Sequence, residues 1–135
     1  MTQQTLLQTD LKAGLMDVYW RLYDAYGPQH WWPGGDDPWE VIVGAILTQN
    51  TAWTNAERAV VRLKEENALN PQRIRDLAKE KLADFVHSSG YFNTKARKLK
   101  AFAEHIGTLY GDDLDILFSK DSSTLRDELL SIYGI

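Results

Sequence analysis

Apolar residues recur at three- and four-residue spacings along most of the chain, which is typical of amphipathic helices packed on a core. The first such segment covers residues 11–26 and contains Leu11, Leu15, Val18, Tyr19, Leu22 and Tyr26. Further helices are predicted at about 38–47, 53–67, 71–77, 79–87, 94–110, 114–118 and 123–132. No useful length of alternating polar and apolar residues indicates a strand. The pattern predicts an all-α fold, a compact multi-helix bundle with short loops.

Several predicted helices begin with residues that suit a helix N-terminus. Asp37 is a good N-cap, Pro38 fits the first helical position, and Glu40 is placed for a capping box. Residues 70–71, Asn-Pro, repeat the combination of cap and proline. Asn93 is the predicted cap of the long helix near 94–110.

Composition and charge exclude several classes of protein. The chain has 135 residues, of which 44% are hydrophobic and 25% are charged, as in ordinary globular domains. It has no cysteine, so disulfides and thiolate metal sites are excluded within these residues. No stretch of roughly 18 apolar residues predicts a membrane helix, and the first residues do not resemble a secretory signal, so the expected location is the cytoplasm.

The net charge of −4 argues against binding to nucleic acid by bulk charge alone. The charge is unevenly distributed, however. Residues 92–100 carry four cations and no acid, whereas the charged residues of 112–128 are mostly acidic. The basic segment is compatible with a local phosphate contact or, more simply, with a solvated helix face. The acidic segment is typical of loops and helix starts, where carboxylates are favoured.

An unusual helix end follows the apolar run Val41 to Leu47, which stops on Thr48, Gln49 and Asn50 rather than on glycine. These side chains could simply cap carbonyl groups at the helix end, and a functional role for the amides is the other interpretation. The sequence contains no GxSxG, P-loop or HExxH motif, and His30, His87 and His105 lack the spacing of metal ligands.

Three segments together resemble a known family. They are "PWEVIVGAILTQNTAWTNAERAV", "SSGYFNTKARKLKAFAEHI" and "LRDELLSIYGI", in the order and spacing of the helix-hairpin-helix (HhH-GPD) DNA glycosylases, the endonuclease III-like superfamily. The sequence "QNTAW", with "WWP" upstream, is more similar to the 3-methyladenine glycosylase branch than to endonuclease III itself. The resemblance covers about residues 28–135 and implies the N-terminal portion of the HhH-GPD glycosylase fold.

The resemblance gives the amide pair a role. In the family, the polar residue after this helix enters the DNA and fills the gap left by a flipped nucleotide. It implies that Gln49, with Asn50 beside it, forms the DNA wedge of this chain. An amide suits that task because it carries both donor and acceptor groups and can pair with whichever base is orphaned.

The resemblance also implies a base pocket formed by Trp31, Trp32 and Trp53, whose indole faces would favour electron-poor alkylated purines. Core packing is the alternative fate of these tryptophans, and the expected fate of Trp39. The "SSGYFNTKARKLK" segment implies a phosphate contact at Lys95.

The segment "LLSIYGI" resembles the first helix and the first turn residues of the hairpin, which implies phosphate binding by the backbone at Gly134. The remaining hairpin, the catalytic Asp and any lyase lysine are expected beyond Ile135. No cofactor is expected in this chain, and a 4Fe–4S cluster stays open for a C-terminal part that follows it.

The resulting hypothesis is a base-excision-repair DNA glycosylase, truncated inside its hairpin and inactive as residues 1–135 alone. Residues 1–28 form an N-terminal helix that would pack with a missing second domain, and residues 29–135 form the HhH-GPD helical domain. The expected partner is double-stranded DNA, with no membrane and with a homodimer through the N-terminal helix as a further hypothesis. A non-catalytic helical domain that binds DNA or another protein is the alternative function.

Overall fold

The computed structural model describes residues 2–30, 32 and 35–135, and it divides into a unit of residues 1–32 and a unit of residues 33–135. The first unit contains α1, Gln3–Tyr26, so this helix begins well before the predicted residue 11. The Thr2 hydroxyl caps its start, and Gly27 with φ of 64° ends it, as glycine at this position permits. No helix in the described ranges is long and apolar enough to cross a bilayer.

The second unit is built from seven α-helices and one 3₁₀ turn, and its described residues contain no strand, which confirms the all-α prediction. In chain order these are α2 Pro38–Leu47, α3 Trp53–Glu65, α4 Pro71–Asp76, α5 Lys79–Phe85, the 3₁₀ turn His87–Ser89, α6 Phe92–Tyr110, α7 Leu114–Phe118 and α8 Ser122–Ser131. The predicted boundaries agree to within about two residues.

The predicted N-caps of α2 and α4 are confirmed. The Asp37 carboxylate accepts a hydrogen bond from the Trp39 amide at 3.0 Å, and the Asn70 side chain accepts one from the Arg73 amide at 2.8 Å. The capping-box prediction for Glu40 is wrong, because its carboxylate pairs with the Lys64 ammonium at 2.8 Å and so ties α2 to α3.

The start of α6 also differs from the prediction. Tyr91, with φ of 45° in the left-handed region, occupies the N-cap position, and Asn93 lies inside the helix. The bend made by Gly90 and Tyr91 turns the chain sharply out of the 3₁₀ turn. Asparagine is a common N-cap residue, so the sequence favours Asn93, whereas a left-handed tyrosine is uncommon.

The core of the second unit forms around α6, against which α2, α4 and α5 pack. Leu99, Phe102 and Ile106 follow one face of α6 and are buried, and the Phe102 ring lies 5.8 Å from that of Trp39. Trp39 is therefore a core residue, as expected. Each large apolar side chain buried here contributes roughly 2 kcal/mol, so α6 fixes its neighbours in place.

Candidate functional site: the end of helix α2

Helix α2 ends in a polar turn that needs no glycine. The Thr48 hydroxyl donates to the Gly44 carbonyl one turn back, and the backbone N–H of Gln49 donates to the Ile46 carbonyl at 3.3 Å. Asn50 then takes φ of 53°, the left-handed conformation that Asn tolerates better than most residues. The turn leaves Asn50 exposed and Gln49 half-buried.

The Gln49 side chain is held at both ends of its amide. Its Nε2 donates to the Gly134 carbonyl at 2.9 Å, and its Oε1 accepts from the Lys98 ammonium at 2.5 Å. We call Gln49, Lys98 and Gly134 the amide clamp. It joins the end of α2 to α6 and to the turn after α8, which brings together two predicted site residues, Gln49 and Gly134, that are 85 positions apart.

Gly134 is suited to this position for two reasons. Its φ of 87° lies in the region that side chains disfavour, and a Cβ there would come within 2.2 Å of Lys98 Cγ. The aliphatic stem of Lys98 therefore packs directly on the glycine backbone. Next to it, the Arg97 guanidinium lies 5.1 Å from the Tyr133 ring centroid, a cation–π contact that adds to the packing of this turn on α6.

An apolar pocket of about 240 Å³ opens beside the clamp. Among the described residues that line it, Gln49 has the polar side chain. The lining residues are Ile42, Ala45, Ile46, Gln49, Phe102, Phe118, Leu129 and Ile135. The polar end of α2 thus borders a surface on which an apolar or aromatic group could rest.

The structure contradicts the predicted role of Lys95 as a phosphate contact. Lys95 is 1% exposed, and its ammonium donates to the Leu47 carbonyl at 2.8 Å and to the Ser89 carbonyl at 2.5 Å. Burial lowers the pKa of Lys95, with a smaller effect from the nearby Lys98 charge. Lys95 therefore ties the end of α2 to the 3₁₀ turn and supports the site from inside.

Two other cations of the basic segment are also bound to protein oxygens. Lys98 belongs to the clamp, and the Lys100 ammonium donates to the carbonyls of Ile74, Arg75 and Leu77, at the end of α4. The prediction of a solvated basic face is therefore wrong for most of the segment. Arg97 is its exposed cation.

The three tryptophans predicted to form a base pocket are described to different extents. Trp31 lies outside the described residues, and Trp32 is half-buried in the first unit. Trp53 is half-buried against the core and lines a small cleft with Glu40 and Lys64, not the pocket beside Gln49. The base-pocket assignment stays a prediction.

The acidic segment forms caps and ion pairs, as its composition predicted in part. Asp113 and Asp121 cap α7 and α8. Asp112 forms a two-pronged pair with Arg75, at 2.6 Å and 2.7 Å, and this hydrogen bonding lowers the pKa of Asp112. No group of three or more His, Asp or Glu residues in the described ranges is arranged to hold a metal ion.

Glu128 accepts a hydrogen bond from the Tyr110 hydroxyl and is paired with Lys120 at 3.3 Å. The Tyr110 hydrogen bond is the largest cause of its lowered pKa, ahead of Lys120. His105 lies 3.4 Å from the same carboxylate, so this histidine is a half-buried neighbour of an ion pair. The ordinary structural role expected for it is consistent with this position.

Comparison with known proteins gives concordant matches. A family model described as HhH-GPD superfamily base excision DNA repair protein matches residues 43–128. The chain is 43% identical over 119 residues to a putative DNA repair glycosylase of Methanocaldococcus jannaschii, which covers 87% of this chain and 54% of that protein. It is 35% identical over 95 residues to endonuclease III of Sulfolobus acidocaldarius, covering 70% of this chain and 40% of that protein.

Among solved structures, the chain is similar to the H. pylori 3-methyladenine DNA glycosylase bound to 1,N6-ethenoadenine. The TM-score is 0.69 at 28% identity, over 80% of this chain and 51% of that one. The chain spans about half the length of the curated relatives it matches.

Proposed function

Because this chain belongs to the HhH-GPD superfamily of base excision DNA repair proteins, we propose that it forms a DNA-binding part of a DNA glycosylase. In this role it binds duplex DNA and inserts Gln49 into the gap left by an extruded nucleotide. The observation that carries the proposal is the placement of the Gln49 amide at the end of a rigid core helix, held by the clamp and beside an apolar pocket.

The energetics of base extrusion explain why such a residue is needed. Taking a nucleotide out of the stack costs a few kcal/mol and leaves its former partner without hydrogen bonds. A side chain that enters the gap and pairs with the orphaned base offsets part of this cost. Because α2 buries five of its ten residues and Lys95 binds its last carbonyl, the helix end can hold Gln49 in place against DNA.

The reaction we propose is hydrolysis of the bond between C1′ and the base nitrogen, which yields a free base and an abasic site. The likeness to a 3-methyladenine glycosylase supports an alkylated purine as the substrate class. A catalytic Asp would stabilise the positive charge that develops on the sugar and would activate water. We propose that this Asp lies outside the part of the relatives' length that this chain spans, which is about half.

Binding to an abasic duplex tests the wedge without knowledge of the lesion. The intact protein is titrated with a short duplex that contains one tetrahydrofuran abasic site, and with the same duplex unmodified, by fluorescence anisotropy. We expect Gln49→Ala to weaken binding to the abasic duplex about tenfold, the value of one or two lost hydrogen bonds to the orphaned base. The salt dependence should be unchanged, because no phosphate contact is removed.

Gln72→Ala is the matched control, since Gln72 is an exposed glutamine on α4. Equal affinity of Gln49→Ala and wild type for the abasic duplex would reject the wedge. A purely structural or protein-interaction domain predicts that the wild type has no affinity for either duplex.

A further inference from the structure

Lys98 makes a contact that no sequence pattern assigned to it, the hydrogen bond to Gln49 Oε1. We propose that Lys98 is a positioning residue that, with the Gly134 carbonyl, fixes the Gln49 amide in one orientation and thereby sets which orphaned base the protein prefers. The inference rests on the proposed function, because it concerns how the wedge meets DNA.

The two partners of the amide are chemically opposite, and this fixes its orientation. An ammonium can only donate, so it must face the amide oxygen, and a backbone carbonyl can only accept, so it must face the amide nitrogen. Rotating the Gln49 amide by half a turn would place –NH₂ against the Lys98 ammonium and oxygen against the Gly134 carbonyl. Both contacts would then be repulsive, so the clamp permits one orientation.

The clamp does not exhaust the amide. A glutamine side chain offers two N–H groups and two oxygen lone pairs, and the clamp uses one of each. One N–H group and one oxygen lone pair of Gln49 are left to bind a base. Lys98 determines the order in which this donor and this acceptor lie along the edge of the amide. An unclamped glutamine could turn to match any orphaned base, whereas a clamped one favours the base whose edge has the complementary order.

Lys98 is itself well fixed for this task. It lies on α6, the central helix of the core, one turn from the buried Lys95, and it is half-buried. Its stem fills the space above Gly134 that a side chain there would occupy. A long lysine side chain loses much rotamer entropy when it is ordered. Because Lys98 is already packed before DNA binds, little more entropy is lost when it holds Gln49 in the complex.

The test measures affinity for four abasic duplexes that differ in the base opposite the tetrahydrofuran site. For the wild type we expect a spread of roughly 3- to 10-fold between the best and the worst orphaned base, the value of one matched hydrogen bond. Lys98→Met keeps the aliphatic stem but not the donor, and the spread should fall to less than about twofold. Lys98→Arg retains a cationic donor and should keep most of the spread.

A double-mutant cycle shows whether Lys98 acts through Gln49. In a Gln49→Ala background, Lys98→Met should have no further effect on the base preference. Lys79→Met removes an exposed positive charge on α5, outside the amide clamp, and should leave the preference intact. Circular dichroism of each variant confirms that the helices are retained, and Lys98→Leu, which also lacks the donor, repeats the test if Lys98→Met does not fold.

The outcomes separate this inference from the proposed function. A wild type without base preference, or a Lys98→Met variant that keeps it, would overturn the positioning role even if Gln49→Ala weakens binding. A uniform loss of affinity in Lys98→Met with a shallower salt dependence would also overturn it, because that is the signature of a phosphate contact. If Gln49→Ala binds abasic DNA like the wild type, the proposed function fails first.

Discussion

Replacing the buried Lys95 by methionine should destabilise the protein, and the structure indicates by how much. Methionine preserves most of the side-chain volume, so the packing change alone costs less than about 1.5 kcal/mol. It removes both hydrogen bonds to the carbonyls of Leu47 and Ser89. Leaving a buried carbonyl without a partner costs about 1–3 kcal/mol each.

One effect opposes this loss. The Lys95 ammonium is desolvated in the wild type, and methionine avoids the cost of burying a charge. With two carbonyls orphaned and one desolvation avoided, we expect a net loss of about 2 kcal/mol in the free energy of unfolding at neutral pH. The exposed Lys79, at the start of α5, provides the control, and Lys79→Met should change stability by less than about 0.5 kcal/mol.

The pH dependence gives a second and independent check. Because burial lowers the pKa of Lys95, the unfolded chain binds this proton more tightly than the folded one. Wild-type stability therefore rises with pH between the lowered folded value and the ordinary value of about 10.4, by at most about 1.4 kcal/mol per pH unit. The Lys95→Met variant lacks this gain, so the gap between the two should widen in alkaline solution.

Urea unfolding followed by circular dichroism, at neutral pH and at about pH 9.5, measures both quantities on wild type and variant. A variant as stable as wild type at neutral pH would refute the account of Lys95 as a tie between α2 and the 3₁₀ turn. A stability gap that stays constant or narrows on raising the pH would refute the net cost of burying its ammonium.

Further predictions concern the C-terminal end of α6 and its contacts with Arg75 of α4. Asp112→Asn keeps a residue suited to its φ of 67° but weakens the pair with Arg75, so urea unfolding at neutral pH should show a loss of about 1–2 kcal/mol, modest because the pair is partly solvated. Since the pKa of Asp112 is lowered, the wild-type advantage should be complete above about pH 4 and disappear as the pH falls through the folded value. In Gly107→Ala a Cβ would come within 2.6 Å of Arg75 Nη1, so its effect combined with Asp112→Asn should be less than additive in the same assay. Gly111→Ala, at φ of 57°, should lower stability by about 1 kcal/mol, seen as a reduced thermal midpoint.

The sequence predicted the helices well because their signals are local. The caps at Asp37 and Asn70 and the stop at Gly27 act within a single turn of the chain, and the structure contains all three. Tyr91 shows the limit of this reasoning, because a left-handed residue that is neither Gly nor Asn gives no signal in the sequence.

The candidate site was predicted only in part, for a physical reason. The resemblance led to Gln49 and Gly134, but their contact with Lys98 joins distant segments and cannot be read from spacing. Lys95 could have been identified as buried, because it lies four residues before Leu99 and seven before Phe102 on the apolar face of α6. Its positive charge favours a phosphate contact, whereas its position on the apolar face of the helix indicates burial in the core.

Helix α8 supports the clamp with little buried surface of its own. All of its residues lie in the described part of the chain, and none of them is fully buried, although the turn that follows supplies the Gly134 carbonyl. Segments with little buried surface open on their own well below the free energy of global unfolding. Transient undocking of α8 would release Gln49 while the core around α6 stays intact, so amide hydrogens of α8 should exchange faster than those of α6. If the proposed wedge binds DNA at this turn, that exchange should slow, so the opening of α8 would report DNA binding.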